Sequence, residues 1–312
     1  MVTIYWASPE EKYEIIDFLD YIFSKEKVPH DFATLQPKLY GPNGDGAQHH
    51  VVMRDGHRII ATLACYPIKL NIKGKIYTLL GVGSVCTRPS YRGRGYMRML
   101  MSYVDQRAKE LGATAAVLTG QRQRYQYYGF DCGGYQLRAR LEEMNVRHAL
   151  RDVSTDGMMI VPMAQEHVSA AMELMKRQPC YGERTEENFI DVLRTWYSQP
   201  MTVLKDGKVT GYVTVRPDPK GPVVGELLLD DEADYPAVLK MLFASIGPMW
   251  LNAAPWERQR VRWLSSVCED YCVAPIGMLK IYNQAHVDEA SNMLDGFLSI
   301  APALYISTLD AV

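Results

Sequence analysis

Little in this sequence suits a membrane, a nucleic acid or an oxidising compartment. The longest apolar runs, such as Thr78 to Val85, fall far short of the ~20 residues that cross a bilayer. Met1 to Trp6 contain no basic segment followed by an apolar core, so no secretory leader is expected. Net charge is only -2 at pH 7, which removes any global attraction to nucleic acid or to an acidic membrane surface. Six cysteines, at 65, 86, 132, 180, 268 and 272, form no paired framework. Cys268 and Cys272 are close enough to share a helix face, but no second pair completes a metal site. A cytoplasmic protein with reduced thiols, no metal and no nucleic-acid or membrane partner is therefore expected.

The 312 residues suffice for two ordinary domains. The first half reads as strand, helix, then a run of strands. Val2 to Tyr5 alternates weakly, Ser8-Pro9-Glu10-Glu11 forms a capping box, and Ile15, Ile16, Leu19, Ile22 and Phe23 recur at helical spacing. Residues 31 to 48 read as loop around Gly41-Pro42-Asn43-Gly44. The turns Asp55-Gly56 and Lys73-Gly74 separate a strand from His50 to Arg54, a long strand from Arg58 to about Leu70, and a third from Ile76 to Thr87. A helix from about Gly95 to Leu111 turns Leu100, Met101, Val104 and Ala108 inward, and Gly112 stops it. Strands over Ala115 to Thr119 and near Gln136 to Leu141 flank Tyr125 to Phe130.

The second half repeats part of this plan. Thr202-Val203-Leu204-Lys205-Asp206-Gly207-Lys208 matches Val51-Val52-Met53-Arg54-Asp55-Gly56-His57 at a constant offset, and a strand (Val223 to Leu229) and a helix (Tyr235 to Ile246) follow. The expected fold is a mixed α/β sheet in two tandem units: residues 1–150, residues 151–285, and a C-terminal segment 286–312. Asp230-Asp231-Glu232 stands where the first unit has a basic glycine loop, and such a run repels phosphate, so the second unit reads as a degenerate copy.

That loop is the chemical centre of the sequence. Phosphates need convergent backbone N–H donors, close backbone approach and a helix N-terminus. Thr87-Arg88-Pro89-Ser90-Tyr91-Arg92-Gly93-Arg94-Gly95 supplies all three between a strand and a helix. Gly93 and Gly95 omit a Cβ where a ligand approaches, and Arg92 and Arg94 offer charge-assisted bonds. It is not a P-loop, since Gly-Lys-Ser/Thr is missing, and it lacks the third glycine of a dinucleotide-binding turn.

The stretch Val85-Cys86-Thr87-x-Pro89-x-Tyr91-Arg92-Gly93-Arg94-Gly95 resembles the cofactor motif of the GNAT superfamily, the GCN5-related N-acetyltransferases, whose pattern is Gln/Arg-x-x-Gly-x-Gly/Ala. Met97 replaces the terminal Gly/Ala, as in relatives of the enhanced-intracellular-survival (Eis-like) acetyltransferases, which pair tandem GNAT units. The resemblance covers about residues 1 to 140 well and the second unit more loosely. It implies acetyl-CoA as co-substrate, with its pantetheine arm paired to the backbone of Val85, Cys86 and Thr87. Its pyrophosphate would rest on Arg92, Gly93, Arg94, Gly95, Tyr96 and Met97. Tyr125-Gln126-Tyr127-Tyr128-Gly129-Phe130 resembles the family's Tyr-x-x-x-Gly-Phe segment, which makes Tyr125 the candidate general acid for the departing thiolate, with Tyr127 and Tyr128 as near neighbours.

The base is harder to read. His49 and His50 lie at a strand start, where paired histidines are usually exposed. In the survival-protein relatives the chain's own terminal carboxylate serves, and Pro302 to Val312 is an apolar tail able to form a buried strand ending at the site, which makes Val312 a candidate. Met99, Met101, Trp196, Trp250 and Trp256 read as core or domain-interface residues, whereas Glu226, Asp230, Asp231 and Glu232 offer a weak lead toward a cationic acceptor. The expected activity is N-acetylation of a small amine by direct transfer. A non-catalytic acyl-CoA sensor and a tandem acyltransferase making a thiol or peptide-like metabolite, as mycothiol-synthase relatives do, stand as alternatives. A homo-oligomer is left open.

Overall fold

The computed structural model describes residues 1–25, 29–294 and 307–310. Strand β1 (Val2–Trp6) leads into helix α1 (Lys12–Ser24), and Glu11 reaches back to the Ser8 backbone N–H at 2.9 Å to cap the entry. Two short helices, α2 (Phe32–Leu35) and α3 (Pro37–Tyr40), occupy the stretch that reads as loop. Four-residue helices carry no period to detect. What holds them is burial of Phe32, Leu35, Leu39 and Tyr40, with Pro37 at the first position of α3.

Strands β2 (His50–Asp55), β3 (Arg58–Ile72) and β4 (Lys75–Thr87) then run antiparallel through tight turns. At the second turn Lys73 and Gly74 both have positive φ, 48° and 88°, as a twist-matched two-residue turn requires. Helix α4 (Tyr96–Glu110), β5 (Ala115–Leu118), the short α5 (Arg122–Tyr125), β6 (Asp131–Leu141) and α6 (Glu143–Ala149) complete the first half. Side chains alternate across the sheet. Val52, Leu70 and Leu79 meet Ile15 and Leu19 of α1, while Val51, Met53, Leu63 and Leu80 meet Leu100, Met101 and Val104 of α4.

The second half follows the same order: β7 (Met158–Pro162), α7 (Val168–Lys176), β8 (Cys180–Gly182), α8 (Phe189–Leu193), β9 (Gln199–Lys205), β10 (Lys208–Arg216), β11 (Val223–Leu229), α9 (Tyr235–Ile246) and β12 (Met249–Ala253). After α10 (Arg258–Val267) come β13 (Tyr271–Ile281) and α11 (Gln284–Met293). The expected boundary near Arg147 to Asp156 falls between α6 and β7.

The sheet does not stop at that boundary. Its order among the described residues is β1-β2-β3-β4-β5-β13-β6-β12-β11-β10-β9-β7, with β8 on β3. Strand β13, from the second half, pairs antiparallel with β5 through Met278 to Ile281. Strand β6, from the first half, pairs antiparallel with β12 through Leu137 to Leu141. Each half thus ends its own run of strands with a strand from the other, and β6 and β13 pair with each other at the centre. The sequence pattern shows the repeat but not this exchange.

The tail, read as a strand, is a turn in its described part, Ser307 to Asp310; Val312 lies outside the described residues. Arg184 holds this turn. Its guanidinium, almost wholly buried, bonds both Asp310 oxygens at 3.0 and 2.9 Å and both Glu226 oxygens at 2.9 Å. Lys38 of α3 donates to the Leu309 carbonyl at 2.5 Å. Truncating one member of such a buried pair leaves a charge undercompensated, so Asp310→Ala should lower stability by about 3 kcal/mol in urea unfolding. An unchanged midpoint would show that the tail is not held this way.

Candidate active site

Strands β4 and β5 run parallel for three pairs only, Leu79–Ala115, Leu80–Ala116 and Gly81–Val117. Beyond Gly81 they part, and the β5-facing edge of Gly83 to Thr87 keeps no strand partner among the described residues. On its other edge β4 still pairs with β3, but with one residue too many. Thr62 meets Cys86 and Ala64 meets Gly83, so Leu63 faces both Ser84 and Val85. This bulge puts Ser84 at φ 53°, a left-handed conformation that a serine seldom adopts.

Into this gap opens a cleft of roughly 650 Å³, in the range of small-ligand sites. Its donor end is lined by Val85, Cys86, Thr87, Arg92, Gly93, Gly95, Tyr96 and Met97, the expected cofactor residues except Arg94. The Arg94 guanidinium lies over the Tyr91 ring at 4.9 Å and donates to the Ser90 carbonyl at 3.4 Å. Arg98 and Arg124, neither assigned to the cofactor from sequence, do line the cleft, whereas Arg122 pairs with Asp131 at 2.8 Å.

Gly93 and Gly95 have φ of 79° and 80°, and a Cβ on either would meet only open space. They are glycines for their backbone angles rather than for lack of room. The turn aims the free N–H groups at the start of α4 toward the cleft, and no acidic residue stands in that first helical turn. Met97, the departure from the family pattern, packs its side chain against the α4-side core. The residues fit an acyl-CoA: an unpaired strand edge for an amide-bearing arm, and a positive, donor-rich turn for phosphates.

Tyr125 lies in the same cleft, 7% exposed, edge-on to Phe130 with ring centroids 6.4 Å apart. Its hydroxyl has no hydrogen-bond partner among the described residues. Burial raises its pKa above that of an ordinary tyrosine, with nearby Arg124 opposing, so the group remains a protonated donor at neutral pH. Tyr127 points to solvent and Tyr128 is partly buried at the cleft wall. Gly120, at φ 150°, makes room for Tyr125: a Cβ there would come within 2.9 Å of the ring.

The far wall comes from Ile22, Phe23, Phe32, Leu35 and Gln36, and from Trp196 of the second half. Trp196, read from sequence as a core or domain-interface residue, packs against the first-half core and also lines the cleft, and it and Tyr197 have φ of 61° and 58°. His50, far from exposed, is fully buried, and burial lowers its imidazole to about 3. His49 keeps contact with Asp45 at 3.5 Å.

Residues 4–133 match the model of the acetyltransferase (GNAT) domain. This part of the chain is a GNAT domain. The whole chain has the fold of a GCN5-related N-acetyltransferase from Kribbella flavida, 15% identical with a TM-score of 0.66, over 93% of this chain and 72% of that one. It is similar also to Eis1 from Mycobacterium abscessus (14% identity, TM-score 0.62, 93% and 76% covered). N-myristoyltransferase from Saccharomyces cerevisiae, solved with bound myristoyl-CoA, is more distant (12% identity, TM-score 0.53, 90% and 78% covered). No curated protein matches in sequence. The match marks residues 4–133 as similar to an acetyltransferase domain, and the solved structures share the fold of the chain. Among the described residues no helix is long and apolar enough to cross a membrane.

The second half has the same parting of strands, narrowed from within to a cavity of roughly 60 Å³. Strands β11 and β12 pair in parallel at Val223–Trp250 and Val224–Leu251 only. Beyond, the Arg260 guanidinium donates to the Leu227 carbonyl and pairs with Glu232 at 2.7 Å and Glu257 at 2.6 Å. The acidic run is engaged in the fold: Asp230 pairs with Arg177, and Asp231 accepts from the Ala233 N–H at 2.9 Å.

Because the Tyr125 ring depends on the missing side chain at 120, Gly120→Ala should cut the acyl-transfer rate at least tenfold while acyl-CoA affinity changes little. An unaltered rate would mean that Tyr125 need not sit where it does.

Proposed function

We propose that this GNAT domain is an acetyl-CoA-dependent N-acetyltransferase that passes the acetyl group directly to the nitrogen of a small amine. The carrying observation is that the β4 edge without a strand partner, the glycine turn at α4 and the Tyr125 hydroxyl share one cleft. The pantetheine amides pair with Val85 to Thr87, and the pyrophosphate takes the N–H groups of residues 93 to 97 together with Arg92 and Arg98. The amine nitrogen attacks the thioester carbon, forming the C–N bond. As the C–S bond breaks, Tyr125 gives its proton to the leaving thiolate, and the proton lost by the amine passes to a base.

The Val312 carboxylate is the base we favour. What supports it is the anchoring of the neighbouring turn: Asp310 is fixed by Arg184, and Leu309 by Lys38. Lys38 stands two positions from Tyr40 in α3, and Tyr40 touches Ser84 at the cleft. Trp196 and the apolar residues of α1 and α2 bound the acceptor side.

Titration calorimetry should give one acetyl-CoA per chain, weakened tenfold or more for Arg92→Ala with Arg98→Ala, since each loses a charge-assisted bond. Two sites per chain would mean that Arg260 does not close the second copy, and no binding would refute the reading. Tyr125→Phe should lower kcat by ~10²-fold or more with acetyl-CoA affinity kept. A raised tyrosine pKa keeps the acid protonated, so the alkaline fall in kcat due to Tyr125 belongs above pH ~10, and it should vanish in the variant. Coenzyme A release without this dependence would exclude Tyr125. Binding without release over an amine panel would indicate a sensor. Removal of Ala311 and Val312 should abolish turnover and leave acetyl-CoA binding intact.

A further inference from the structure

A buried polar chain reaches this cleft and takes no part in holding phosphate or in protonating the thiolate. The Val51 carbonyl accepts from Thr62 Oγ1 at 2.9 Å, and Thr62 Oγ1 lies 2.8 Å from His50 Nδ1. His50 Nε2 lies 2.8 Å from Tyr40 Oη, which lies 2.8 Å from Ser84 Oγ. Thr62 and His50 are inaccessible to solvent and Tyr40 nearly so, whereas Ser84 is half-buried and lines the cleft.

Counting protons fixes the direction of every bond. A hydroxyl carries one proton, and a neutral imidazole carries one on its two nitrogens. The carbonyl of Val51 can only accept, so the Thr62 proton goes there. His50 Nδ1 must then donate to Thr62, which leaves Nε2 a bare acceptor. Tyr40 donates to Nε2, and the only proton left for the last contact is that of Ser84. The low basicity of buried His50 keeps the ring neutral and preserves this order. Any other assignment leaves one buried contact with no proton or with two.

Ser84 Oγ therefore presents lone pairs to the cleft and has no proton to offer it. It does so at the strained bulge beside Val85 to Thr87, where the thioester lies in the acetyltransferase reading. We propose that Ser84 Oγ, held as an obligate acceptor by Tyr40, His50 and Thr62, takes a hydrogen bond from an N–H of the incoming amine and turns its lone pair toward the acyl carbon. The inference rests on that reading and narrows it. The nucleophile needs one hydrogen for Ser84 and another to lose on transfer, so the acceptor is a primary amine rather than a secondary amine or an alcohol. Tyr40, His50 and Thr62 are positioning residues that act through Ser84.

Two probes isolate the bond without knowledge of the natural acceptor: coenzyme A linked through sulfur to N-butylacetamide, and the same molecule with butyl acetate in place of the amide. Only the amide keeps the N–H that a transferred primary amine would hold. Calorimetry on the full chain should find the amide bound about tenfold more tightly than the ester, the worth of one hydrogen bond. That ratio should fall to about one in Ser84→Gly, a variant expected to fold because glycine accepts the positive φ. It should also fall in Tyr40→Phe, where Ser84 keeps its hydroxyl but is free to donate to the ester, an effect that loss of packing alone would not produce. Equal affinities in the wild type, a ratio preserved in either variant, or failure of both probes where acetyl-CoA binds would overturn the proposal. If acetyl-CoA itself does not bind, the acetyltransferase reading fails instead.

Discussion

The site rests on the parting of two strands after three residue pairs. While β4 and β5 stay hydrogen-bonded, the sheet is closed core. Once they separate, β4 offers an edge with no strand partner among the described residues, where the Thr87 carbonyl accepts from Arg92 Nε at 3.3 Å. The glycine turn and α4 follow directly from the end of β4, so the N-terminus of a helix stands at one end of that edge. Tyr125, carried on the segment after β5, stands on the opposite bank. The open edge, the glycine turn and Tyr125 are set by one divergence in the sheet.

The duplicated half shows what happens when the same divergence is filled from within. Arg260 reaches the Leu227 carbonyl, and its charge is matched by Glu232 and Glu257. A side chain thus takes up the backbone group that a ligand arm would meet in the first half. The buried Arg184 does similar work nearby, joining Glu226 of β11 to Asp310 of the tail. The second half keeps the architecture and supports the first: it supplies a cleft residue in Trp196 and a strand in β13.

Much of this was legible because local chemistry signals it. Paired positive-φ turns, the capping of α1, the basic glycine loop and the Tyr-x-x-x-Gly-Phe segment each leave a mark within a few residues. What escaped reading depends on distant pairing. Helices α2 and α3 exist because Phe32, Leu39 and Tyr40 are buried by partners far along the chain. His50 reads as surface from its doubled histidine, yet Thr62 and Tyr40 enclose it. Arg94 offers the same charge as Arg92, yet its guanidinium is turned onto the Tyr91 ring and the Ser90 carbonyl, which no local pattern signals. The exchange of β6 and β13 leaves no periodic trace, since a strand looks alike whichever sheet it joins.

That exchange bears on how the protein is made. On the ribosome, residues 1–130 emerge first and contain every donor-side residue of the cleft, including Tyr125. Yet β5 is four residues long, is tied to β4 by three pairs, and finds its other neighbour in β13, whose Met278 packs in the same core as Tyr125 and Phe130. Until residue 281 has been synthesised, the bank that carries Tyr125 is an open edge. The half that carries the larger cleft is therefore born incomplete, and it can mature only together with the half that supplies β13.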